Sequence, residues 1–180
     1  MGDEGWSERA LIEGVLAGDE LAARRLFDRH WPAAWRTAYG ITGRRAAADD
    51  AAQDGIAQAF LRLAQFDGER PFGAWLHRIV ANRALDLVRR ERRGAPLSEE
   101  GVADPVDWVG RTHDHDELMA ALAGLPRDRR LVVVLRHWAG WTPAEIADAL
   151  QVPVGTVYSR LGRALDQLRT RVEVGRGDGS

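Results

Sequence analysis

Residues 141–165 constrain the fold most strongly, because they read as two short helices around a tight turn. Thr142 can cap the first helix, Pro143 suits its first position, and Glu145 stands three residues after the cap. Residues 151–153 interrupt the helical period. An apolar stripe at spacings of three and four then resumes, formed by Val154, Val157, Leu161 and Leu165. The segment therefore predicts a helix-turn-helix.

The outward face of the second predicted helix has the polar and basic side chains of this segment. Tyr158, Ser159, Arg160 and Arg163 lie off the apolar stripe. Arginine can read guanine edges in a major groove, so the pattern favours DNA binding. A helical hairpin with a solvated arginine face would have the same pattern.

Composition excludes several classes of protein. The 180 residues are 45% hydrophobic, which suffices for one domain or two small ones. No apolar run approaches the roughly 20 residues that span a bilayer, and the N-terminus is acidic, so we expect a cytoplasmic protein without a membrane anchor. Without cysteine there is no disulfide or thiolate site. His113 and His115 lack the spacing of a helical metal pair, and we expect neither a metal nor a cofactor.

The formal net charge of −2 hides a strong segregation of charge. Residues 70–93 carry seven arginines against two acids, and residues 127–171 carry eight against four. Between them, residues 94–126 carry one arginine against seven acids. Every basic residue is arginine, whose planar guanidinium suits phosphate. Two basic segments around an acidic one indicate two contacts with nucleic acid.

The first half of the chain has helical periodicity. A short helix around residues 11–16 ends near Gly18, and a second run spans residues 26–38, where Pro32 must kink or restart it. A turn is expected at residues 40–43, and a third helix at 46–64. Polar residues share one face of that third helix, away from its apolar side: Asp50, Gln53 and Asp54.

A loop at residues 65–70 leads into a long amphipathic helix from Pro71 to about Arg93. Arg78, Asn82, Arg89 and Arg93 recur on its exposed face. A solvated charged face is the ordinary explanation. An asparagine within the row of arginines favours a surface that contacts phosphate and bases.

The pattern as a whole predicts an all-α protein with two small helical domains. We assign residues 1–93 to the first domain, 94–112 to a flexible acidic linker, 113–173 to the second domain and 174–180 to a frayed tail. The linker has no sustained periodicity and contains several prolines and glycines.

With both domains in view, the chain resembles the extracytoplasmic-function (ECF) sigma factors of the sigma-70 family. The resemblance covers nearly everything from Gly18 to Arg171. It is carried by the motifs DDAAQD at 49–54, FGAWLHRIVANRALDLVRR at 72–90, LPRDRR at 125–130, AEIA at 144–147 and VGTVYSRL at 154–161. Their order around an acidic linker makes the match specific.

The resemblance implies an RNA polymerase subunit that is not an enzyme and directs the core polymerase to promoters. By this analogy, the loop and long helix would capture unpaired bases of the −10 element, through Phe66, Asp67, Arg70, Arg78, Asn82, Arg83, Arg89 and Arg90. The helix-turn-helix would meet the −35 element through Thr156, Tyr158, Ser159, Arg160 and Arg163. We expect Phe72 and Trp75 to be core residues rather than wedges in the opening bubble.

The resemblance also implies protein partners. Asp50, Gln53 and Asp54 match the surface that docks on the β′ clamp, although carboxylates near a helix start also favour the helix dipole. The second domain would meet the β flap, and the chain would act as a monomer within the holoenzyme. An anti-sigma factor is a further candidate partner. The acidic linker would mimic nucleic acid in the polymerase's RNA path, or serve as a soluble tether.

Three residues depart from the family pattern. Tyr158 stands where an arginine or lysine is usual, Gln151 replaces a turn glycine, and Gly55 weakens its helix. A free-standing helix-turn-helix repressor or activator is the competing function, but it leaves the first domain without a role. An enzyme acting on nucleic acid fits worst, since no nucleophile with a base or phosphate-binding glycine loop is evident.

Overall fold

The computed structural model of the chain describes residues 6–94 and 120–177. Within these ranges every regular element is a helix, which confirms the predicted all-α class. The elements are α1 (Glu8–Leu16), α2 (Glu20–Thr42), α3 (Arg45–Leu61), a 3₁₀ turn (Leu63–Gln65), α4 (Phe72–Gly94), α5 (Arg127–His137), α6 (Pro143–Leu150) and α7 (Val154–Gly177). The predicted linker, with His113 and His115, lies outside the described residues.

Helix α2 is longer than the sequence pattern predicts. Its start is capped by Asp19, whose carboxylate accepts the N–H groups of Leu21 and Ala22. The helix passes through Pro32 without restarting. Because proline has no N–H group, the carbonyl of Asp28, four residues earlier, has no helical donor. Asp28 is exposed, so water can hydrate this carbonyl. The predicted turn at 40–43 is also wrong. Gly40 is helical, and only Gly43, with φ 70°, ends the helix.

Helices α2, α3 and α4 pack on one another to form the first helical unit. Gly55 faces Val80 so closely that an added Cβ would lie 2.6 Å from Val80 Cγ2 and 2.9 Å from its Cα. The glycine that departs from the family pattern therefore permits close packing of α3 on α4. This contact compensates for the weaker helix propensity of glycine.

The second unit contains the predicted helix-turn-helix. The Thr142 hydroxyl accepts the N–H of Glu145, and the Glu145 carboxylate accepts the N–H of Thr142, which confirms the capping box. Gln151 ends α6 in the left-handed conformation, with φ 54° and ψ 47°. Its side-chain amide donates to the Asp148 carbonyl at 2.6 Å, which ties the strained turn to the helix end.

The predicted apolar stripe of α7 is partly wrong. Val157 and Ala164 are buried and Leu161 is half-buried, whereas Val154 and Leu165 are exposed. The buried side of α7 is therefore centred on residues 157, 161, 164 and 168, and it is rotated around the helix axis relative to the predicted stripe. Helix α7 also continues to Gly177, past the predicted domain end at 173.

The two units share an interface in which α5 packs against the C-terminal half of α2. Val132, Val134 and Leu135 are buried together with Tyr39 and Ile41 in one continuous core. This explains why α5 is apolar on more than one side. Over residues 6–94 and 120–177, no helix has the length and apolar content needed to cross a membrane.

Candidate nucleic-acid interface

The loop at residues 66–70 is built on an aromatic cluster. Phe66 packs on Phe72 and Trp75, with ring centroids 5.5 and 5.4 Å away. Phe72 is 1% exposed and belongs to the core, while Phe66 and Trp75 are half-buried. Phe72 thus occupies the predicted core position. A rigid aromatic base of this kind fixes where the loop leaves the helix bundle.

The tip of this loop presents polar groups on a tight turn. The N–H of Glu69 donates to Asp67 Oδ1 at 3.0 Å, and Gly68 takes a positive φ of 75° between them. Asp67 and Arg70 are exposed. The turn uses one of the two carboxylate oxygens of Asp67, so the other faces the surroundings as an acceptor.

The predicted strand-contact residues of α4 form two rows. Successive helical residues are about 100° apart, so Arg78, Asn82 and Arg89 lie within about 40° of one another. We call these three residues the arginine row. Arg83 and Arg90 lie about 100° further round the helix. The predicted residues therefore share one helix but not one face.

The arginine row is in contact with the second unit. Arg78 Nη2 forms an ion pair with Glu145 Oε1, and its guanidinium lies 5.6 Å from the ring centroid of Trp141. Arg89 Nη2 donates to the carbonyl of Ala149 at 2.7 Å. Asn82, between them, is exposed. The row thus faces helix α6 and the residue that precedes its cap.

Glu145 has two tasks at this contact. The N–H of Thr142 and the guanidinium of Arg78 together lower the pKa of Glu145 to about 2. The carboxylate is therefore ionised at neutral pH, where it both caps α6 and neutralises Arg78. The sequence indicates the capping role, but the pairing with Arg78 joins positions 67 residues apart and has no local signal.

Helix α7 carries the other predicted DNA surface. Thr156, Ser159, Arg160 and Arg163 lie within about 100° around its axis, and we call them the recognition face. Ser159 and Arg163 are exposed. Arg160 Nε lies 3.1 Å from Asp128 Oδ2, which ties it to the start of α5. Tyr158 is 60% exposed but lies about 150° from the centre of this face and about 100° from Ser159, its nearest member, so the structure does not group it with the other four.

Helix α3 presents an exposed polar face on the opposite side from its packing on α4. Asp50, Gln53 and Asp54 are all exposed, as predicted. Their neighbour Asp49 has a structural task, since its Oδ1 accepts the Trp35 Nε1–H at 2.5 Å. Of the four polar residues in the DDAAQD motif, one therefore holds α3 against α2 and three face outward.

Arg130, which no sequence pattern distinguishes, is 2% exposed at the junction of the two units. Its Nε donates to the Gly40 carbonyl at 3.0 Å. Burial lowers the pKa of this guanidinium. Arg130 is one of three arginines in the LPRDRR motif, and helical periodicity alone does not indicate which of them is buried in a core.

Each of the two helical units matches a known protein family. Residues 26–94 match the family described as Sigma-70 region 2, and residues 115–168 match Sigma-70, region 4. The chain is 33% identical over 162 residues to the ECF RNA polymerase sigma factor SigM of Mycobacterium tuberculosis, covering 90% of this chain and 83% of that relative. The chain belongs to the ECF sigma factors.

Solved structures agree with this ECF sigma fold. The structure of CnrH in complex with the cytosolic domain of CnrY matches with a TM-score of 0.52 and 28% identity, over 93% of this chain and 97% of that one. The sigma factor RpoE from Bartonella quintana, in complex with the anti-sigma factor NepR, has a TM-score of 0.54 at 24% identity, over 84% and 96% of the two chains. The family favours a sigma factor over a free-standing repressor or activator.

The geometry of this sigma factor gives no sign of a metal centre in the part of the chain that is described. Within residues 6–94 and 120–177, no group of three or more histidine or acidic side chains is arranged to hold a metal ion. The predicted DNA-contact residues of α4 and α7 carry guanidinium, amide and hydroxyl groups, which are the groups that contact phosphates and base edges.

Proposed function

We propose that this sigma factor binds the core of bacterial RNA polymerase and directs it to promoters through two DNA surfaces, one on each helical unit. The observation that carries the proposal is the pair of arginine faces, on α4 and on α7, that lie on different units of one chain. A regulator that reads a single duplex site needs only the second. A subunit that also holds an opened strand needs both.

The first unit supplies the −10 surface in this proposal. The loop tip of Asp67 and Arg70 stands beside the half-buried Phe66 and Trp75, so an unpaired base could stack on an aromatic ring while its edge meets a carboxylate or guanidinium. The arginine row, with Arg83 and Arg90, would follow the phosphates of the same strand. We therefore assign Phe72 to support of the loop, and not to contact with DNA.

The second unit supplies the −35 surface. Ser159 and Arg163 are exposed on the N-terminal half of α7, the part of a recognition helix that enters the major groove. Arg160, held by Asp128, would contact bases or phosphate only at the edge of this face. Tyr158 would meet one flanking backbone, where a phenol can donate a single hydrogen bond to phosphate.

Other surfaces of the sigma factor would bind protein partners. The exposed face of Asp50, Gln53 and Asp54 would dock on the β′ clamp, and the second unit on the β flap. The chain would act as a monomer in the cytoplasmic holoenzyme and leave RNA synthesis to the polymerase. An anti-sigma factor is a candidate partner, since RpoE from Bartonella quintana was solved with one.

The test is transcription from fragmented genomic DNA with purified core polymerase, with and without this protein, followed by mapping of transcript 5′ ends. We expect new start sites that share two short motifs at a constant separation. A triple variant, Asp50→Ala with Gln53→Ala and Asp54→Ala, should lower transcript yield at least about tenfold by weakening core binding by about 1.4 kcal/mol or more.

The matched control is Glu13→Ala, which removes an exposed carboxylate from α1 and should leave the yield unchanged. If no start site depends on the protein, while the protein alone binds duplex DNA tightly, the free-standing regulator replaces the sigma function.

A further inference from the structure

The loop at residues 66–70, which we call the −10 loop, is supported by His30 of α2 through Phe72. The His30 and Phe72 rings meet edge to face, with centroids 4.9 Å apart and planes at 73°. A Cβ added at Gly73 would lie 3.6 Å from His30 Cε1, so the imidazole also lies against the first turn of α4. Only 12% of the His30 side chain is exposed. The position of this ring therefore limits how closely the start of α4 approaches α2.

Phe72 connects this contact to the loop itself. Phe66, where the loop begins, meets Phe72 at 87° with centroids 5.5 Å apart. Three rings, from His30 through Phe72 to Phe66, thus link α2 to the base of the −10 loop. Aromatic pairs have preferred orientations, and closely packed interiors transmit displacement. A shift of the His30 ring should therefore move Phe66 and the loop that follows it.

Helix α1 contacts the His30 ring at its buried nitrogen. His30 Nε2 lies 2.9 Å from Glu8 Oε1, and Glu8 is in the first turn of α1. Burial lowers the pKa of His30, and the carboxylate of Glu8 opposes this shift. The carboxylate therefore favours a proton on Nε2, which fixes the tautomer and the direction of the ring.

Other contacts fix α1 on α2, so Glu8 has a defined position. Arg29 Nη2 donates to the Trp6 carbonyl at 3.2 Å, and Leu11 is buried in the core that α1 shares with α2. The Ser7 hydroxyl caps α1 by accepting the N–H of Ala10. No residue of α1 belongs to either of the two DNA surfaces or to the polar face of α3. The function proposed above therefore leaves this helix without a role.

We propose that α1 is a positioning element of the −10 site, in which Glu8 holds His30 and His30 sets the place of the −10 loop. Both are positioning residues, since they act through Phe72 and touch no DNA. The proposal rests on the assignment of Asp67 and Arg70 to −10 bases in the proposed function. Because hydrogen bonds weaken steeply with distance and angle, a displaced loop would still fold but would distinguish bases less well.

The first test follows the rings in the free protein. The chain has four phenylalanines, so labelling with 4-fluorophenylalanine gives four fluorine NMR resonances, which are assigned by substituting one phenylalanine at a time. Glu8 is partly exposed, so Glu8→Ala should still fold, and we expect it to shift the resonances of Phe72 and Phe66. Glu20→Ala is the matched control. It removes an exposed carboxylate from the same position of α2, with the same relation to a helix dipole, and should leave both resonances in place.

The second test measures base selection by the holoenzyme. Anisotropy gives the affinity for a fluorescent single strand with the −10 sequence of a mapped promoter, and for strands in which one base is replaced. The ratio of the two dissociation constants is the discrimination. We expect Glu8→Ala to lower the largest discrimination by at least about threefold, while Glu20→Ala keeps it. Affinity for core polymerase and for −35 duplex DNA should be the same in both variants.

A purely structural contact would give a different result. Glu8→Ala would then lower the free energy of unfolding in urea while discrimination stayed unchanged, and this would overturn the proposal. Unshifted resonances of Phe66 and Phe72 would overturn it as well. A holoenzyme of the unchanged protein that does not discriminate its own −10 sequence would refute the −10 surface itself, and the positioning role with it. Promoter-specific transcription with normal discrimination in Glu8→Ala would refute the positioning role alone and keep the proposed function.

Discussion

The two arginine faces of this sigma factor differ in their surroundings, although they have similar sequence patterns. The arginine row of α4 is engaged by the capping glutamate and a helix-end carbonyl of the second unit. On α7, Ser159 and Arg163 remain exposed, and only Arg160 of that face has an ion pair with another helix. A row of arginines at helical spacing therefore identifies a surface but does not reveal whether that surface is accessible.

The two faces also differ in what supports them. Helix α4 is packed within a bundle of three helices, so its position depends on close backbone approach and buried polar pairs. Helix α7 is set by a short helix, a cap and a left-handed turn. Damage to α4 should therefore cost more stability than damage to the start of the helix-turn-helix.

The largest effect is expected from Gly55→Val, because its side chain would overlap both the side chain and the backbone of Val80. We expect a loss of about 3 kcal/mol in the free energy of unfolding, measured by urea denaturation. Gly162→Val places the same side chain in a helix where a Cβ meets no described atom within 4 Å, so it should cost well under half as much. Equal losses would contradict the close packing of α3 on α4.

The next effect concerns pH and the half-buried His77 of α4, which faces α2. The Thr37 hydroxyl donates to the Ala33 carbonyl at 3.0 Å, so it must accept from His77 Nδ1–H at 2.7 Å. Burial, then the charges of His30 and Arg36, lower the pKa of His77 to about 4. The neutral ring is therefore the form that the fold favours.

The free energy of unfolding should consequently be highest above pH 6.5, where His77 is neutral in both the folded and the unfolded chain. It should fall as the pH decreases toward 4, by up to roughly 3 kcal/mol. His77→Gln should flatten the dependence of unfolding free energy on pH across this window. His137→Gln, in the second unit, is the matched control and should keep the slope. A slope that survives the loss of His77 would assign the titration to another group.

The variant Arg163→Ala, which alters the recognition face, should bind −35 DNA more weakly and should unfold with nearly the same free energy as the unchanged protein. We expect a loss of about 1–2 kcal/mol in affinity of the holoenzyme for −35 duplex DNA, measured by competition at fixed salt. Arg169→Ala removes an exposed arginine two turns later on the same helix and should have a smaller effect. If the two variants weaken binding equally, the contact is a general attraction and not a local one.

The smallest effect is expected from Thr142→Ala, which removes the cap of α6. The unfolding free energy should fall by about 1 kcal/mol. Thr170→Ala is a fair control, since that hydroxyl only donates back to the Asp166 carbonyl within α7. Thermal unfolding of the two variants measures the difference, and a cap that contributes nothing would leave them indistinguishable.

Local features of the fold could be predicted because they depend on neighbouring residues. The capping box at Thr142 and Glu145 and the exposed face around Gln53 follow from short spacing, whereas the turn at Gln151 was expected from the resemblance, which has a turn glycine at this position. The predicted turn at 40–43 was wrong because tertiary packing overrode the local preference of Gly40. Gly40 is helical where α5 packs against it.

Contacts between the two units could not be predicted from the same information. Arg130 reads as one arginine among several, and its bond to Gly40 joins positions 90 residues apart. The pairing of Arg78 with Glu145 is similarly distant in sequence. Gly55 was interpreted as a weakness of α3, whereas the structure shows that its missing side chain lets α4 approach. Such contacts require knowledge of which helices meet.

The central claim, that each unit contacts its own promoter element, can be tested directly by tethered DNA cleavage. The natural chain has no cysteine, so an iron chelate can be attached at Asn82→Cys on α4 or at Gly162→Cys beside the recognition face. In the complex with core polymerase and a mapped promoter, we predict cleavage near the −10 element from position 82 and near the −35 element from position 162. Cleavage of the same segment from both positions would contradict the account.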